Sequence, residues 1–124
     1  MNGNQKNIRR RMSDAHETYL QEMFGGYISP GSGNSFANQG DVRMSRYDNE
    51  YAFVFEGKST LAASLSTPLT MWHKIVEQSK HHLPALALRF YLDERLEKTI
   101  DLVVISADDL KELLERANAP KSSI

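Results

Sequence analysis

Hydrophobic and polar positions divide the chain into eight predicted elements in the order α-β-β-β-α-β-β-α. Three segments repeat apolar residues at helical spacing, and five others are short and rich in β-branched or aromatic residues. The helices are predicted at 13–24, from Thr67 onward and after Ser106, and the strands at 27–28, 41–46, 51–58, 85–92 and 100–105. We therefore expect an α/β fold with a central mixed β-sheet of about five strands flanked by helices.

Capping and breaking residues mark the ends of the helices. Gly25-Gly26 ends the first helix, Thr67 caps the second with Pro68 in its first turn, and Ser106 caps the last. A buried face is predicted on the second helix at Leu69, Trp72, Ile75, Val76 and Ser79, and an inward face on the last helix at Leu110, Leu113, Leu114 and Ala117. The sequence shows no repeat and no linker, so residues 1–124 are predicted to form one domain with a frayed tail at 120–124.

The amino-acid composition limits which metal ligands and which cellular settings are possible for this protein. The 124 residues include no cysteine, so disulfides and thiolate metal sites are excluded and any metal must bind carboxylates, histidines or carbonyls. No apolar run is long enough to cross a bilayer, and no secretory leader is recognisable. These features favour a cytoplasmic protein that has no membrane partner.

A net charge of −1 argues at first against a nucleic-acid partner, but the charge is unevenly distributed. Residues 1–92 carry ten basic against eight acidic residues, and residues 93–124 carry five against eight. The densest basic run, Lys6 to Arg11, is either a solvated, flexible N-terminal arm over residues 1–11 or an arm that binds backbone phosphates. In the second case Arg9, Arg10 and Arg11 are the DNA contacts, and Arg43 is a further candidate.

The strongest chemical signal lies on the third predicted strand. Residues two apart in a strand share a face, so Glu56 and Lys58 point the same way, and Phe53 and Phe55 point toward a core on the other side. A two-residue turn at Asp48-Asn49 would place Asp41 directly opposite Glu56.

Two opposed carboxylates repel unless a cation lies between them. Mg²⁺ fits, because it takes oxygen ligands and is usually held by one or two protein carboxylates together with phosphate oxygens. A bound metal of this kind, with Lys58 beside it, suits phosphodiester hydrolysis. The alternative left open by the spacing is that Glu56 and Lys58 form an ordinary surface ion pair and that Asp41 is a turn residue.

Several short segments stand in the order and spacing of a known family. They are His16-Glu17, Ser29-Pro30-Gly31-Ser32-Gly33, Gly40-Asp41-Val42, Phe55-Glu56-Gly57-Lys58-Ser59-Thr60, and the Trp72/Gln78 helix followed by Pro84-Ala85-Leu86-Ala87-Leu88. Over about residues 8–92 the chain thus resembles the PD-(D/E)XK nuclease superfamily, and within it the archaeal-type and phage Holliday junction resolvases. It departs from the family pattern at Gly40, where a proline is usual, and at Gly57, where a larger apolar residue is usual.

The resemblance implies a restriction-endonuclease-like core with a catalytic Lys58. It implies that Asp41 and Glu56 are ligands of Mg²⁺, for which Mn²⁺ would substitute, and that Glu17 is a further carboxylate near the metal. Ser32 would touch the phosphate. Capping of the first helix is the alternative role for Glu17, and a plain turn serine is the alternative for Ser32.

Two other signals are weaker. Gly57-Lys58-Ser59-Thr60 resembles the end of a phosphate-binding loop, but Ala52 stands where that motif requires glycine, so no nucleotide cofactor is expected. His81-His82 lacks a third ligand in register for zinc, and Gln78 is expected at the surface.

The leading functional hypothesis is a homodimeric, metal-dependent endonuclease that resolves four-way DNA junctions, in a prokaryotic cytoplasm and of phage type. The second is another nuclease of the superfamily, of flap, repair or restriction-like kind. The third is a nucleic-acid-binding protein that keeps the fold without catalysis.

Overall fold

The computed structural model describes residues 3–28, 41–47 and 49–120, and it confirms the predicted element order and the mixed sheet. The elements are α1 (Gly3–Phe24), β1 (Gly26–Ile28), β2 (Asp41–Met44), β3 (Phe53–Thr60), α2 (Leu69–Ser79), β4 (Leu83–Tyr91), β5 (Thr99–Val104) and α3 (Ala107–Ala117). Within these ranges no helix is both long enough and apolar enough to cross a membrane.

The five strands lie in the order β1-β2-β3-β4-β5. Neighbouring strands are antiparallel except β3 and β4, which run parallel over Phe53–Thr60 and Leu83–Phe90. A parallel pair needs a crossover connection, and α2 supplies it. The sheet is therefore built around a β3-α2-β4 unit, with a hairpin-like edge on either side.

Each face of the sheet has its own core, because strand residues alternate between faces. On one face Leu20 of α1 packs against Val42 and Phe55. On the other face Ile75 of α2 packs against Val54 and Leu86. We call these the α1 face and the α2 face.

The first helix begins ten residues earlier than the predicted Ser13. Residues 3–11 are helical, so the prediction of a flexible arm is wrong for them. Glutamine, lysine and arginine are good helix formers, which lets the helix extend without a packing partner. The hydroxyl of Tyr91, the last residue of β4, donates to the carbonyl of Met12 at 2.9 Å. Residues 6–11, which precede this anchor, are exposed.

Gly25-Gly26 ends α1 as predicted. Gly25 has a φ of +68°, a left-handed conformation that glycine adopts without steric cost, and its N–H donates to the Gln21 carbonyl at 2.9 Å.

The start and the buried face of α2 differ from the prediction. Pro68, rather than Thr67, is the N-cap residue, and no side chain caps the helix. Ile75 and Ser79 are buried as predicted, but Leu69 and Val76 are exposed. Val76 is one position, about 100° around the helix, from Ile75, so only one of the two can face the sheet.

The prediction for α3 is right about its start and wrong about its packing. Ser106 Oγ accepts a hydrogen bond from the Asp109 N–H at 3.1 Å. None of the helix's residues is buried by the described part of the chain, although three leucines and one alanine were expected to face inward. The helix follows the edge strand β5, and among the described residues it has no extensive contact with the sheet.

The connection between β2 and β3 spans residues 45–52 instead of forming a two-residue turn. Asn49 Nδ2 donates to the Ser45 carbonyl at 2.7 Å, so polar side chains replace ladder bonds there. Asp48, the glycine-rich loop with Ser32, Gly40 and the tail 121–124 lie outside the described residues.

Candidate active site

The strand register confirms the central pairing that the sequence predicts. Asp41 is the direct partner of Glu56, and Val42 is the partner of Phe55. Paired positions of neighbouring strands belong to the same face of a sheet. The predicted register is kept although the observed loop is longer than the predicted two-residue turn. Residues 45–52 lengthen the loop by the same number of residues before and after Asp48-Asn49, so the strand partners do not change.

Glu56 and Lys58 lie on the α2 face. Their strand neighbour Val54, two residues earlier, packs against Ile75, whereas Phe55 packs on the α1 face. Both side chains are partly buried. The predicted sharing of one face by Glu56 and Lys58 is therefore confirmed.

The Glu56 carboxylate is the unusual group of this face. Its side chain is only 13% exposed. Oε1 lies 3.5 Å from Lys74 Nζ, and Oε2 is buried without a hydrogen-bond partner among the described residues. A buried carboxylate oxygen with no donor costs free energy on the order of 1–3 kcal/mol, and more when it is charged. A bound cation would satisfy this oxygen.

Lys74 is a site residue that the sequence reasoning missed. It projects from α2 and is one turn from Met71, which packs on the same core. Its spacing of three residues from Met71 was a usable signal, since residues three apart lie on neighbouring positions of one helix face. Lys74 gives the site a second amine in addition to Lys58.

Arg43 and Gln78 tie β2 to α2 beside the site. Arg43 is opposite Val54, and its guanidinium donates to the Gln78 backbone carbonyl at 2.9 Å. Gln78 is half-buried, with its Oε1 enclosed, so the expectation of a surface glutamine is wrong. Arg43 thus has a structural contact, and its role in DNA binding stays a prediction.

His82 makes a similar link, whereas His81 is exposed. His82 Nε2 lies 2.8 Å from the Met44 carbonyl, which holds the end of β2 against the turn before β4. These contacts fix the strand that carries Asp41 relative to α2.

The other predicted site residues are more distant. Glu17 is half-buried on α1, which packs on the opposite sheet face from Glu56, so its place near a metal stays a prediction. Arg9, Arg10 and Arg11 are exposed on the extension of α1. Among the described side chains no group of three or more histidines and acidic residues could hold a metal.

A separate polar network lies under α1. Arg89 Nε donates to Asp101 Oδ1 at 2.6 Å, and the guanidinium carbon lies 4.4 Å from the centre of the Tyr19 ring. Burial, together with the positive charge of Arg89, lowers the pKa of the neighbouring His16 to about 4, against the smaller effect of Asp101. This network satisfies its own charges and connects α1 to β4 and β5.

Comparisons with protein-family models, with curated proteins and with solved structures found no match.

Proposed function

We propose that this protein is a metal-dependent DNA endonuclease with a restriction-endonuclease-like core. The observation that carries the proposal is the buried, unpartnered Oε2 of Glu56, on a residue whose direct strand partner is Asp41. An arrangement of acidic residues with an unsatisfied oxygen is costly without a cation and useful with one. Lys58, on the same strand face, supplies the positive charge that phosphate chemistry needs.

The donor set favours a hard cation. Glu56 and Asp41 offer carboxylate oxygens only, and Mg²⁺ prefers such ligands and keeps several waters of its own. Mn²⁺ would take the same place. Glu17 would contribute a further carboxylate from α1.

The chain's residues then divide the work of phosphodiester hydrolysis. When bound, Mg²⁺ supplies Lewis-acid polarisation of the phosphate and lowers the pKa of a coordinated water. Glu56 and Asp41 would hold the cation, and Lys58 would orient the scissile phosphate through its ammonium charge. Lys74 holds Glu56 by its Oε1, which leaves Oε2 for the metal. Ser32 would donate a hydrogen bond to the phosphate.

We propose that the substrate is a four-way DNA junction, which the protein resolves. This assignment rests on the resemblance to Holliday junction resolvases. A four-way junction needs two symmetric nicks, and a twofold homodimer carries two equivalent sites. The exposed Arg9, Arg10 and Arg11 would bind the backbone phosphates of the junction arms. The setting that we propose is a prokaryotic cytoplasm.

Metal binding is tested without activity. We expect Mg²⁺ or Mn²⁺ to raise the melting temperature of the wild-type protein, since a ligand that binds only the folded state stabilises it. Asp41→Asn and Glu56→Gln should each lose this shift, whereas the exposed control Glu94→Gln should keep it. A shift that survives in both site variants would contradict the metal assignment.

Substrate class is tested with labelled four-way junction, flap and linear duplex, in Mg²⁺ and in EDTA. Paired symmetric nicks in the junction alone support resolution. Cutting of flaps or duplex would indicate another nuclease of the same superfamily. Junction binding without any cleavage would indicate a non-catalytic nucleic-acid-binding protein.

A further inference from the structure

The C-terminal helix presents an apolar stripe to the surface. Leu110 and Leu114, one turn apart, are 47% and 51% exposed, and Ala107 continues the same face. Amphipathic helices normally bury such a stripe. In α3 none of the eleven residues is buried by the described part of the chain.

This helix has little else to keep it folded. Helices shorter than about 12–15 residues are marginal in water, and most of their stability comes from packing of an apolar face. Within residues 3–28, 41–47 and 49–120, the side-chain bonds that hold α3 are its Ser106 cap and the bonds from Arg116 to Glu50 and Tyr51, at 2.6 and 2.9 Å. A covering partner would supply the missing burial.

The preceding edge strand also exposes apolar side chains. Ile100, Leu102 and Val104 point to one face of β5 and are 49%, 50% and 39% exposed. Concentration of apolar exposure in two successive elements is typical of a protein contact surface.

We propose that α3 packs antiparallel against α3 of a second copy of this chain. Lys111 and Glu115 form an i,i+4 ion pair along one flank of the stripe. In an antiparallel helix pair, a given flank of one helix lies beside the same flank of the other. Lys111 would therefore lie near Glu115 of the second copy, and Glu115 near Lys111 of the second copy. The two helix dipoles would also oppose each other in this arrangement.

Other occupants match this surface less well. The helix carries four acidic and two basic residues, so a nucleic acid or an anionic membrane surface would be repelled. The charges of the Lys111–Glu115 flank complement those of the same flank on an antiparallel copy, so this surface favours a second α3 as its partner. The inference rests on the proposed function for the homodimer and names its surface from α3, and its tests use no DNA or metal, so a failed interface and a failed nuclease assignment can be told apart.

The first test is the oligomeric state by sedimentation velocity in buffer without metal or DNA. Wild type should show a concentration-dependent monomer–dimer equilibrium, and Leu110→Glu/Leu114→Glu should be monomeric. Both leucines are about half exposed and lie outside the two cores, so the variant should keep the folded sheet, and any loss of circular dichroism signal should be no larger than α3 alone accounts for. Tyr47→Glu is the control. It changes a residue of the β2–β3 loop that is 96% exposed, and this variant should still form the dimer.

The second test uses charge reversal. Lys111→Glu and Glu115→Lys should each raise the dimer dissociation constant roughly three- to tenfold, as expected for a symmetric pair of exposed ion pairs. An equimolar mixture of the two variants should recover wild-type affinity, because each chain then faces its complement. A monomeric wild type would overturn the proposal. So would a Leu110→Glu/Leu114→Glu variant that still dimerises, or an equimolar mixture of the charge variants that associates no better than either variant alone.

Discussion

Lys74 Nζ lies 3.5 Å from Glu56 Oε1, so an amine of α2 and a carboxylate of β3 form an ion pair across the α2 face. The ion pair holds one oxygen of Glu56 and leaves the other buried and without a partner among the described residues. Lys74 therefore stabilises the metal-free site and competes with any cation that Glu56 would bind.

We predict that Lys74→Met lowers the dissociation constant for Mn²⁺ or Mg²⁺ severalfold, because removal of a nearby positive charge reduces repulsion of the cation. The same variant should be less stable without metal, since Glu56 loses its partner. Isothermal titration calorimetry measures the first effect and chemical denaturation the second. Lys74→Arg keeps the charge and is the control. Weaker metal binding by Lys74→Met would show that Lys74 supports the cation instead of competing with it.

The buried imidazole of His16 predicts a pH dependence of stability. Its pKa of about 4 in the folded protein lies below the ordinary 6.5, because burial and Arg89 disfavour the charged form. The unfolded chain therefore binds a proton at a higher pH than the folded chain does. The His16 contribution to the free energy of unfolding is fully present above pH 6.5 and is lost as the pH falls toward 4, by an amount on the order of 3 kcal/mol.

Urea denaturation between pH 7 and pH 4 measures this effect. His16→Gln should lose less stability over that range than wild type, and the difference between the two isolates His16 from the carboxylates. His73→Gln, which changes an exposed histidine, should follow the wild-type profile. Identical profiles for His16→Gln and wild type would rule out the buried imidazole as the cause.

Two adjacent glycines should differ in their response to alanine. A Cβ on Gly26 would lie 2.5 Å from Val42 Cγ1 and 3.0 Å from the Arg43 carbonyl, and Val42 is fully buried and cannot move aside. A Cβ on Gly25 meets nothing within 4 Å, so only its φ of +68° opposes alanine.

We expect Gly25→Ala to cost about 1–2 kcal/mol of stability through its φ, and Gly26→Ala to cost more, about 3 kcal/mol, at the upper end of the usual cost of overpacking. Gly26→Ala should also weaken metal binding, because it displaces the strand that carries Asp41. Chemical denaturation and metal titration of both variants give the comparison. Equal costs would mean that β1 and β2 separate easily enough to admit a methyl group.

The sequence predicts the sheet and the Asp41–Glu56 pairing because both depend on strand alternation, which is local. The register survives the wrong turn prediction, since Ser45 and Asn49 lengthen the loop without shifting its centre. Lys74 was missed because a lysine on a helix is usually solvated, and only tertiary packing turns it toward Glu56.

Burial of α3 could not be predicted from its pattern. Periodicity says that Leu110 and Leu114 share a face, but it does not say whether this chain or another covers that face. The start of α1 was predicted wrongly for a related reason. A polar, basic segment has no apolar stripe that would indicate a helix, and its helical continuation depends on intrinsic propensity and on the anchor at Met12.

The exposed basic extension of α1 gives the last prediction, on DNA affinity. Each lysine or arginine that contacts a phosphate adds roughly 0.9 to the slope of log affinity against log salt. Arg9→Gln/Arg10→Gln/Arg11→Gln should therefore weaken junction binding at low salt and flatten that slope, with helix content kept because glutamine favours helices. Fluorescence anisotropy over a salt series measures both. Arg95→Gln, an exposed arginine in the β4–β5 loop, should leave the slope unchanged, and an unchanged slope in the triple variant would place the phosphate contacts elsewhere.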